Sequence, residues 1–372
     1  MMKIGITGQD GFVGKHLYHT LGLFPDEFQR VEFQRNFFES ESDLDQFVSQ
    51  CDVIVHLAAM NRHESQEVIY ETNVNLVQKL VASLERTNSK PHVLVSSSSQ
   101  EERDNLYGKS KKEGRELLAN WANKNEAVFT GLVIPNVFGP FGKPFYNSVV
   151  ATFCYQVSHH ETPKIAIDGD LKLIYVGELV EEIIQQIRTQ KHQSKLEISH
   201  TSEKKVSEIL ALLQQYKTEY QDKGSIPTLT STFELNLFNT YRCYMDIATH
   251  FPVKLTQHTD SRGSFVEIIR LEVGGQVSFS TTVPGITRGN HFHTRKIERF
   301  AVIKGKALIQ LRKIGTDEVL NFELNGDEPA YVDMPIWYTH NIKNIGDDML
   351  YTNFWINEFF NPNDADTYFE VV

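Results

Sequence analysis

The sequence predicts an α/β domain followed by an all-β domain: a doubly wound parallel sheet first, then a smaller antiparallel barrel or sandwich. Three observations carry this. Compact β-branched runs alternate with longer stretches of helical period through the first half of the chain, the pattern of buried parallel strands joined by helices. A glycine run follows the first of these strands directly. Beyond about residue 255 short strand-like pieces are broken by glycine, proline and acid-glycine turns, with no long helical period.

Taken in order, Lys3–Thr7, Asp52–His56, His92–Ser96 and Val128–Ile134 read as strands, with Ser65–Arg86 and Ser110–Trp121 as helices between them. Farther on, Ser264–Arg270, Glu298–Ile303, Lys306–Arg312 and Met349–Trp355 read as strands. His250-Phe251-Pro252 interrupts any continuing helix, which places the domains at 1–248 and 253–372. A length of 372 residues accommodates two or three cores of ordinary size.

Composition narrows the class. Hydrophobic content of 40% and charged content of 23% are those of a globular chain, not a disordered one. Thirty-seven basic against 48 acidic side chains leave a net charge of −11, which argues against non-specific nucleic-acid binding. Cys51, Cys154 and Cys243 are far apart and show no CxxC spacing, so neither a disulfide framework nor a zinc-thiolate site follows. The chain starts directly on a strand pattern, and no run approaches the ~20 apolar residues of a membrane span. The expectation is a cytoplasmic protein without membrane insertion.

Gly8, Gly11 and Gly14, with Gln9, Asp10, Phe12 and Val13 between them, form G-x-x-G-x-x-G after the first strand and opening into a helix. A dinucleotide pyrophosphate needs a tight turn, close backbone approach and free helix N–H groups, which this arrangement supplies. Tyr107 and Lys111 stand four apart, one above the other on a helix. An ammonium beside a phenol is expected to lower its pKa and ready it for proton transfer. Ser96 to Ser99 end the preceding strand and offer a hydroxyl to a carbonyl oxygen.

Over roughly residues 1–245 the chain resembles the extended short-chain dehydrogenase/reductase family. The matching pieces are the three glycines, His56-Leu57-Ala58-Ala59, the serines, Tyr107/Lys111 and Ile134-Pro135-Asn136-Val137-Phe138-Gly139-Pro140. The resemblance implies a Rossmann-type sheet, Tyr107 as proton donor and Lys111 on the nicotinamide ribose. Ser98, with Ser97 as the alternate, would hold the substrate carbonyl. Ala58, Ala59 and Asn73 would border the cofactor and Asn136 the substrate. The interval from serine to tyrosine is shorter than the family's. After the second strand Phe33-Gln34-Arg35-Asn36 stands where an NAD enzyme carries an acid. Gln34 and Arg35 suit the 2′-phosphate of NADP(H), while Glu32 nearby leaves NAD as the alternative.

In the C-terminal part, Gly285-x5-His291-x-His293-x4-Glu298-x6-Gly305 sets three potential metal ligands within eight residues. Strand residues two apart share a face, so His291 and His293 can bind one ion, with Glu298 from the next strand and His340 from Pro335-x-Trp337-x-x-His340-x3-Asn344. This resembles the cupin motifs over about 255–372, with Trp337 in the usual glycine position of the second motif, and implies a jelly-roll barrel holding one divalent metal. Zinc is favoured over iron, manganese or nickel. Asp260-Ser261-Arg262-Gly263-Ser264-Phe265-Val266-Glu267 and Arg288-Gly289-Asn290-His291 look like segments of deoxysugar-nucleotide epimerases. Arg262, Glu267 and Arg288 would then contact a nucleotide-sugar. The whole chain is similar to the bifunctional capsular-polysaccharide enzymes on the route to UDP-N-acetyl-L-fucosamine. That resemblance implies a homodimer that epimerises C3 of a UDP-linked 4-keto-deoxysugar and then reduces its C4 carbonyl with NADPH. The competing reading is a 4-ketoreductase whose metal-bound cupin is purely structural or dimerising.

Overall fold

The structure, a computed structural model, describes residues 1–260, 263–269 and 274–372. It divides into two compact units, Met1–Thr152 with Ile167–Val206, and Phe153–Ala166 with Ser207–Val372.

The strands of the first unit are β1 Met2–Thr7, β2 Phe28–Val31, β3 Val53–His56, β4 His92–Ser98, β5 Phe129–Ile134, β6 Asn136–Phe138, β7 Asp170–Tyr175, β8 Gln193–Glu197 and β9 Ser202–Lys205. Six of them pair in the order β2-β1-β3-β4-β5-β8, all parallel, as expected. β6, β7 and β9 form a separate small sheet. Alternate residues of the main sheet feed opposite layers. Ile4, Ile6, Val53 and Val55 pack in a core with Leu17 and Ile183, from the helices Phe12–Leu21 and Val176–Thr189. Ile54, Val93 and Val95 pack with Leu80 and Leu118, from the helices Gln66–Thr87 and Leu106–Asn125. Burial on both faces explains why these strands read as continuous apolar runs. The winding reverses at β1, whose neighbours are β2 and β3, so the carboxyl ends of β1 and β3 border the crevice where doubly wound sheets hold ligands.

The second unit carries two antiparallel five-stranded sheets. One runs Val253–Lys254, Ala330–Met334, Glu298–Lys304, Leu350–Ile356, Gln276–Thr282; the other runs Val319–Asn325, Lys306–Lys313, Tyr338–Asn344, Thr287–Phe292, Tyr368–Phe369. A hairpin, Gln257–Asp260 with Gly263–Val266, stands apart. Residues of both sheets, Phe300 and Val332 from one and Ile309 and Ile342 from the other, share a single core. The strand expected at Ser264–Arg270 is realised as Gly263–Val266, and Arg270 lies outside the described residues.

The division read at 248–253 marks the change from helix to strand, whereas the compact unit begins earlier in the chain. The reason is a buried polar junction. Arg299 donates from Nε and Nη2 to the two carboxylate oxygens of Asp333 at 2.8 and 3.0 Å, and from Nη1 to the Gly224 carbonyl at 3.0 Å. Tyr220 donates its hydroxyl to Asp333, and Arg242 donates to the Tyr220 oxygen at 3.2 Å and to the Met334 carbonyl at 3.0 Å. Arg299 and Asp333 are 2% and 0% exposed. The helical segments Lys217–Asp222 and Thr232–Arg242 are thereby fastened to the sheet by buried charges.

Removing one partner of such a pair leaves an uncompensated buried charge, at a cost of about 3–5 kcal/mol. Asp333→Asn is expected to move the urea midpoint of the second unit sharply downward, read by Trp337 and Trp355 fluorescence. Glu328→Gln, which breaks the exposed Lys254–Glu328 pair, should leave it in place. Equal midpoints for the two variants would contradict the assignment of Arg299–Asp333 as the fastening.

Candidate functional site

Gly8 opens the turn after β1 with φ +77°, and a Cβ there would sit 2.7 Å from the Ala58 nitrogen. A Cβ on Gly14 would run into the Gly8 carbonyl. The glycines therefore let the loop after β1, the start of helix Phe12–Leu21 and the end of β3 approach at backbone distance. Gly11 is the N-cap, and no side chain caps this helix. Gln9 Oε1 is buried there without a hydrogen-bond partner among the described residues. A cradle that a Cβ would fill, under an uncapped helix N-terminus, fits an anionic pyrophosphate. Thr7 holds the neighbouring end of β3: its hydroxyl pairs with His56 Nδ1 at 2.8 Å and accepts from the Ala58 N–H at 3.5 Å. Asn73 is engaged by the loop after Ala59, accepting from Met60 N at 2.6 Å and donating to Met60 O at 3.0 Å and to Ser110 Oγ at 3.1 Å.

Along β4 the serines alternate. Ser97 turns inward and donates to Glu101 at 2.6 Å, a carboxylate held by Arg115 at 3.1 and 3.2 Å. Ser96 and Ser98 share the opposite face. Ser98 Oγ accepts from the Gln100 N–H at 3.2 Å and lies near enough to the Tyr107 phenol to lower its pKa, and Lys111 Nζ donates to Ser96 Oγ at 3.4 Å. Ser98 thus stands near Tyr107, Lys111 is directed to Ser96, and Ser97 is engaged by Glu101 instead. It also corrects the expected electrostatics. Burial and the nearby Tyr146 raise the Tyr107 phenol above its ordinary value, only partly offset by Ser98. Burial also pulls the Lys111 ammonium down to about 8. A lysine that is itself desolvated, and directed to Ser96, does not act as the lever on tyrosine that the spacing suggested.

Around the crevice, Glu32 follows β2 and accepts from Gln34 Nε2 at 2.8 Å, while Arg35 opens the next turn and is exposed. Asn136 is exposed at the start of β6.

The second cluster lies in the β unit. His291, His293, Glu298 and His340 bring one ligand atom each within 4.8 Å of one another. His293 Nε2 and His340 Nε2 stand 3.0 and 3.1 Å from Glu298 Oε2, and His291 Nε2 stands 3.9 Å from it. His340 pairs across the ladder with His291, and a bulge at Asn290 (φ +60°) lies between Gly289 and His291. The extra residue puts Arg288, opposite Ile342, on the same face as His291, which simple alternation would place on opposite faces. Arg288 is exposed, as is Glu267 beyond the hairpin; Arg262 lies outside the described residues. Trp337 adopts φ +61°, the left-handed region where the motif expects glycine, and stacks on Phe292 at 5.4 Å.

The imidazoles themselves test whether a cation fits. His340 Nδ1 lies 3.1 Å from the Tyr338 carbonyl and His293 Nδ1 bonds the Asp366 carbonyl. A carbonyl only accepts, so both Nδ1 atoms carry protons and both Nε2 lone pairs aim at Glu298. His293 Nε2 is buried and faces Glu298 Oε2 at 3.0 Å. Against burial, which lowers it, the Glu298 carboxylate and the Asp366 carbonyl hold His293 above its ordinary pKa. For His340 burial prevails and the pKa is lowered. Glu298 is held well below the carboxylate range: burial opposes ionisation, and the three histidines outweigh it. Three imidazoles and a carboxylate, with one ligand atom each within 4.8 Å of one another, fit a divalent cation.

Thr7 and Tyr146 carry no site signal in the sequence, and Ser96 is read there only as part of the Ser96 to Ser99 run, not as the partner of Lys111. Ser96 was accessible through its two-residue spacing from Ser98; nothing local marks the other two.

Two family models match: NAD dependent epimerase/dehydratase family over residues 4–198, and polysaccharide biosynthesis C-terminal domain over residues 258–368. UDP-2-acetamido-2,6-beta-L-arabino-hexul-4-ose reductase of Pseudomonas aeruginosa is 31% identical over 371 residues, covering 99% of this chain and 98% of the relative. The solved structure of the capsular polysaccharide assembling protein CapF from Staphylococcus aureus is 37% identical, covers 100% of both chains and superposes with a TM-score of 0.64. RMD from Pseudomonas aeruginosa complexed with NADPH, 18% identical over 59% of this chain and 83% of its own, shares the fold of the first unit at a TM-score of 0.52. A relative matched from end to end, together with a family model spanning the whole parallel sheet, identifies the chain as an enzyme of the NAD dependent epimerase/dehydratase family with a polysaccharide biosynthesis domain behind it.

Proposed function

We propose that the protein is an NADPH-dependent nucleotide-sugar 4-ketoreductase that also epimerises C3 of its substrate, a UDP-2-acetamido-2,6-dideoxy-4-hexulose, giving a UDP-N-acetyl-6-deoxy-L-talosamine-type product for capsular polysaccharide. The Ser98–Tyr107 pair carries the reductase half, supported by the full-length likeness to the Pseudomonas aeruginosa reductase. NADPH in the glycine cradle supplies the hydride. Ser98 polarises the C4 carbonyl and positions it, and Tyr107 gives its phenolic proton to the carbonyl oxygen. A phenol held above its ordinary pKa remains protonated at neutral pH, the state that reduction requires. Lys111, buried against Ser96, orients the ribose side of the crevice. Gln34 covers Glu32, leaving Arg35 for a 2′-phosphate.

The C-terminal unit, on this proposal, is a cupin whose cage is His291, His293, Glu298 and His340. A divalent cation there, zinc being favoured, supplies Lewis acidity beside a carbonyl. Arg288, brought to the cage face by the bulge, grips the sugar-nucleotide diphosphate with Arg262, Glu267 contacts the substrate, and a group other than the four cage residues removes the C3 proton. The homodimer belongs to the same proposal: the edge strand Gln276–Thr282 exposes Val277 and Phe279, an apolar face that a second copy would cover.

The decisive experiment is incubation with the UDP-4-keto-sugar and NADPH, with the product identified by NMR. Tyr107→Phe is expected to lower hydride transfer by about 10²- to 10⁴-fold. Ser98→Ala should cut turnover, whereas Ser97→Ala should act on stability through Glu101–Arg115; the reverse pattern would reassign the serine. NADPH should outperform NADH, with Arg35→Ala eroding the preference, and equal efficiencies in the wild type would restore NAD. In deuterium oxide without NADPH, wild type and Tyr107→Phe should both place deuterium at C3. His340→Ala should lose exchange, bound metal and several degrees of melting temperature. If no form exchanges C3, the cupin is structural and the reductase stands alone.

A further inference from the structure

We infer that Asp366 is the positioning residue of the metal cage, acting through both its backbone carbonyl and its side chain on the short turn that separates His293 from Glu298. The inference rests on the proposed cage.

Thr294 to Ile297 join His293 at one end to Glu298 at the other, so the shape of these four residues sets the spacing of two ligands. Asp366, more than seventy residues away in sequence, holds that turn from outside. Its Oδ1 accepts from the Thr294 N–H at 3.0 Å and the Thr294 hydroxyl at 2.6 Å; its Oδ2 accepts from the N–H groups of Arg295 and Lys296, each at 3.0 Å. Three consecutive backbone donors and a hydroxyl converge on one carboxylate that is 5% exposed. The same residue's carbonyl accepts the Nδ1 proton of His293, which leaves Nε2 as the lone pair facing the cage. Asp366 has φ +41°, a left-handed conformation that a non-glycine residue adopts only when its surroundings over-determine it. The contacts just described over-determine it.

The segment that carries Asp366 is tied to the same turn at further points. Lys296 Nζ donates to the Ala365 carbonyl at 2.6 Å, Arg295 donates to Glu358 and Asp364, and Ile297 N donates to Asn357 Oδ1 at 2.9 Å. Outer residues that fix a ligand's tautomer and orientation are worth about 10- to 100-fold in metal affinity.

The test uses the full-length chain stripped of metal and titrated with Co²⁺, whose visible absorption reports coordination geometry. Wild type, Asp366→Asn and Thr294→Val are compared for affinity, spectrum and metal-free melting temperature. Asp366→Asn keeps shape but turns an NH₂ toward N–H donors; it should bind Co²⁺ about 10- to 100-fold more weakly, with an altered spectrum. Thr294→Val, which removes one of the four donors, should shift both readouts in the same direction by less, and it carries the test if Asp366→Asn does not fold. Wild-type affinity and spectrum in the variants, whatever happens to melting, would reduce Asp366 to a loop staple and overturn the inference. A wild type that binds no Co²⁺ overturns the cage reading itself and this inference with it, and the first titration shows which has failed.

Discussion

The second unit depends on one buried ion pair. Arg299 and Asp333 face each other across the ladder between Glu298–Lys304 and Ala330–Met334, and neither has water to fall back on. Strand side chains alternate, so the register that satisfies Arg299 on the outer face delivers Glu298 to the inner face, next to Phe300, whose ring meets His340 edge-on at 5.8 Å. A slip by one residue would strand a guanidinium in the core and turn the carboxylate away from the histidines. The cost of an unpaired buried charge is several kcal/mol, comparable to a sizeable share of a domain's net stability. The pair therefore does more than fasten helices: it fixes where the fourth cage residue can be.

How much of this was legible in the sequence follows from how local each feature is. The parallel sheet was, because β1, β3 and β5 are buried on both faces and read as apolar runs whatever they pack against. The clustering of the three histidines with Glu298 was, because His291, His293 and Glu298 fall within one strand end, one turn and the next strand start. The unit boundary was not. Tyr220 and Arg242 look like ordinary helix residues until Asp333, about a hundred positions on, appears beside them. The sign of the Tyr107 shift was not legible either. Four residues of helix put Lys111 near it, but the depth of burial and the competing acceptor Ser96 belong to the packing of β4 against Leu106–Asn125. That Ser97 is engaged by the Glu101–Arg115 pair was not legible either, because the pair spans a turn and a helix.

Trp337 shows what a departure from motif implies. A left-handed non-glycine residue carries roughly 1–3 kcal/mol of strain, and here the ring is stacked on Phe292 while the Trp337 N–H donates to the His293 carbonyl at 2.8 Å. Glycine would reach the same conformation without strain but would contribute neither the stacking nor the burial. The substitution keeps the turn and anchors its backbone to a cage residue, so the loop leading to His340 retains its path.

The proposed order of the two reactions needs no assumption about how the units are arranged. The C3 proton of a 4-keto-sugar is acidic only while the neighbouring carbonyl can take up the negative charge that its removal creates. Reduction at Ser98 and Tyr107 turns that carbonyl into an alcohol and returns the C3–H bond to the inertness of an ordinary carbinol neighbour. Epimerisation must therefore precede reduction, and a reductase that met the unepimerised sugar would lock in the wrong configuration. The enzyme can avoid that only if Ser98 and Tyr107 fit the epimer better than its precursor. On the proposed scheme, discrimination would lie in how the C3 hydroxyl meets the polar groups beside Ser98 and Tyr107: a site that hydrogen-bonds one configuration leaves its own polar groups unpaired with the other.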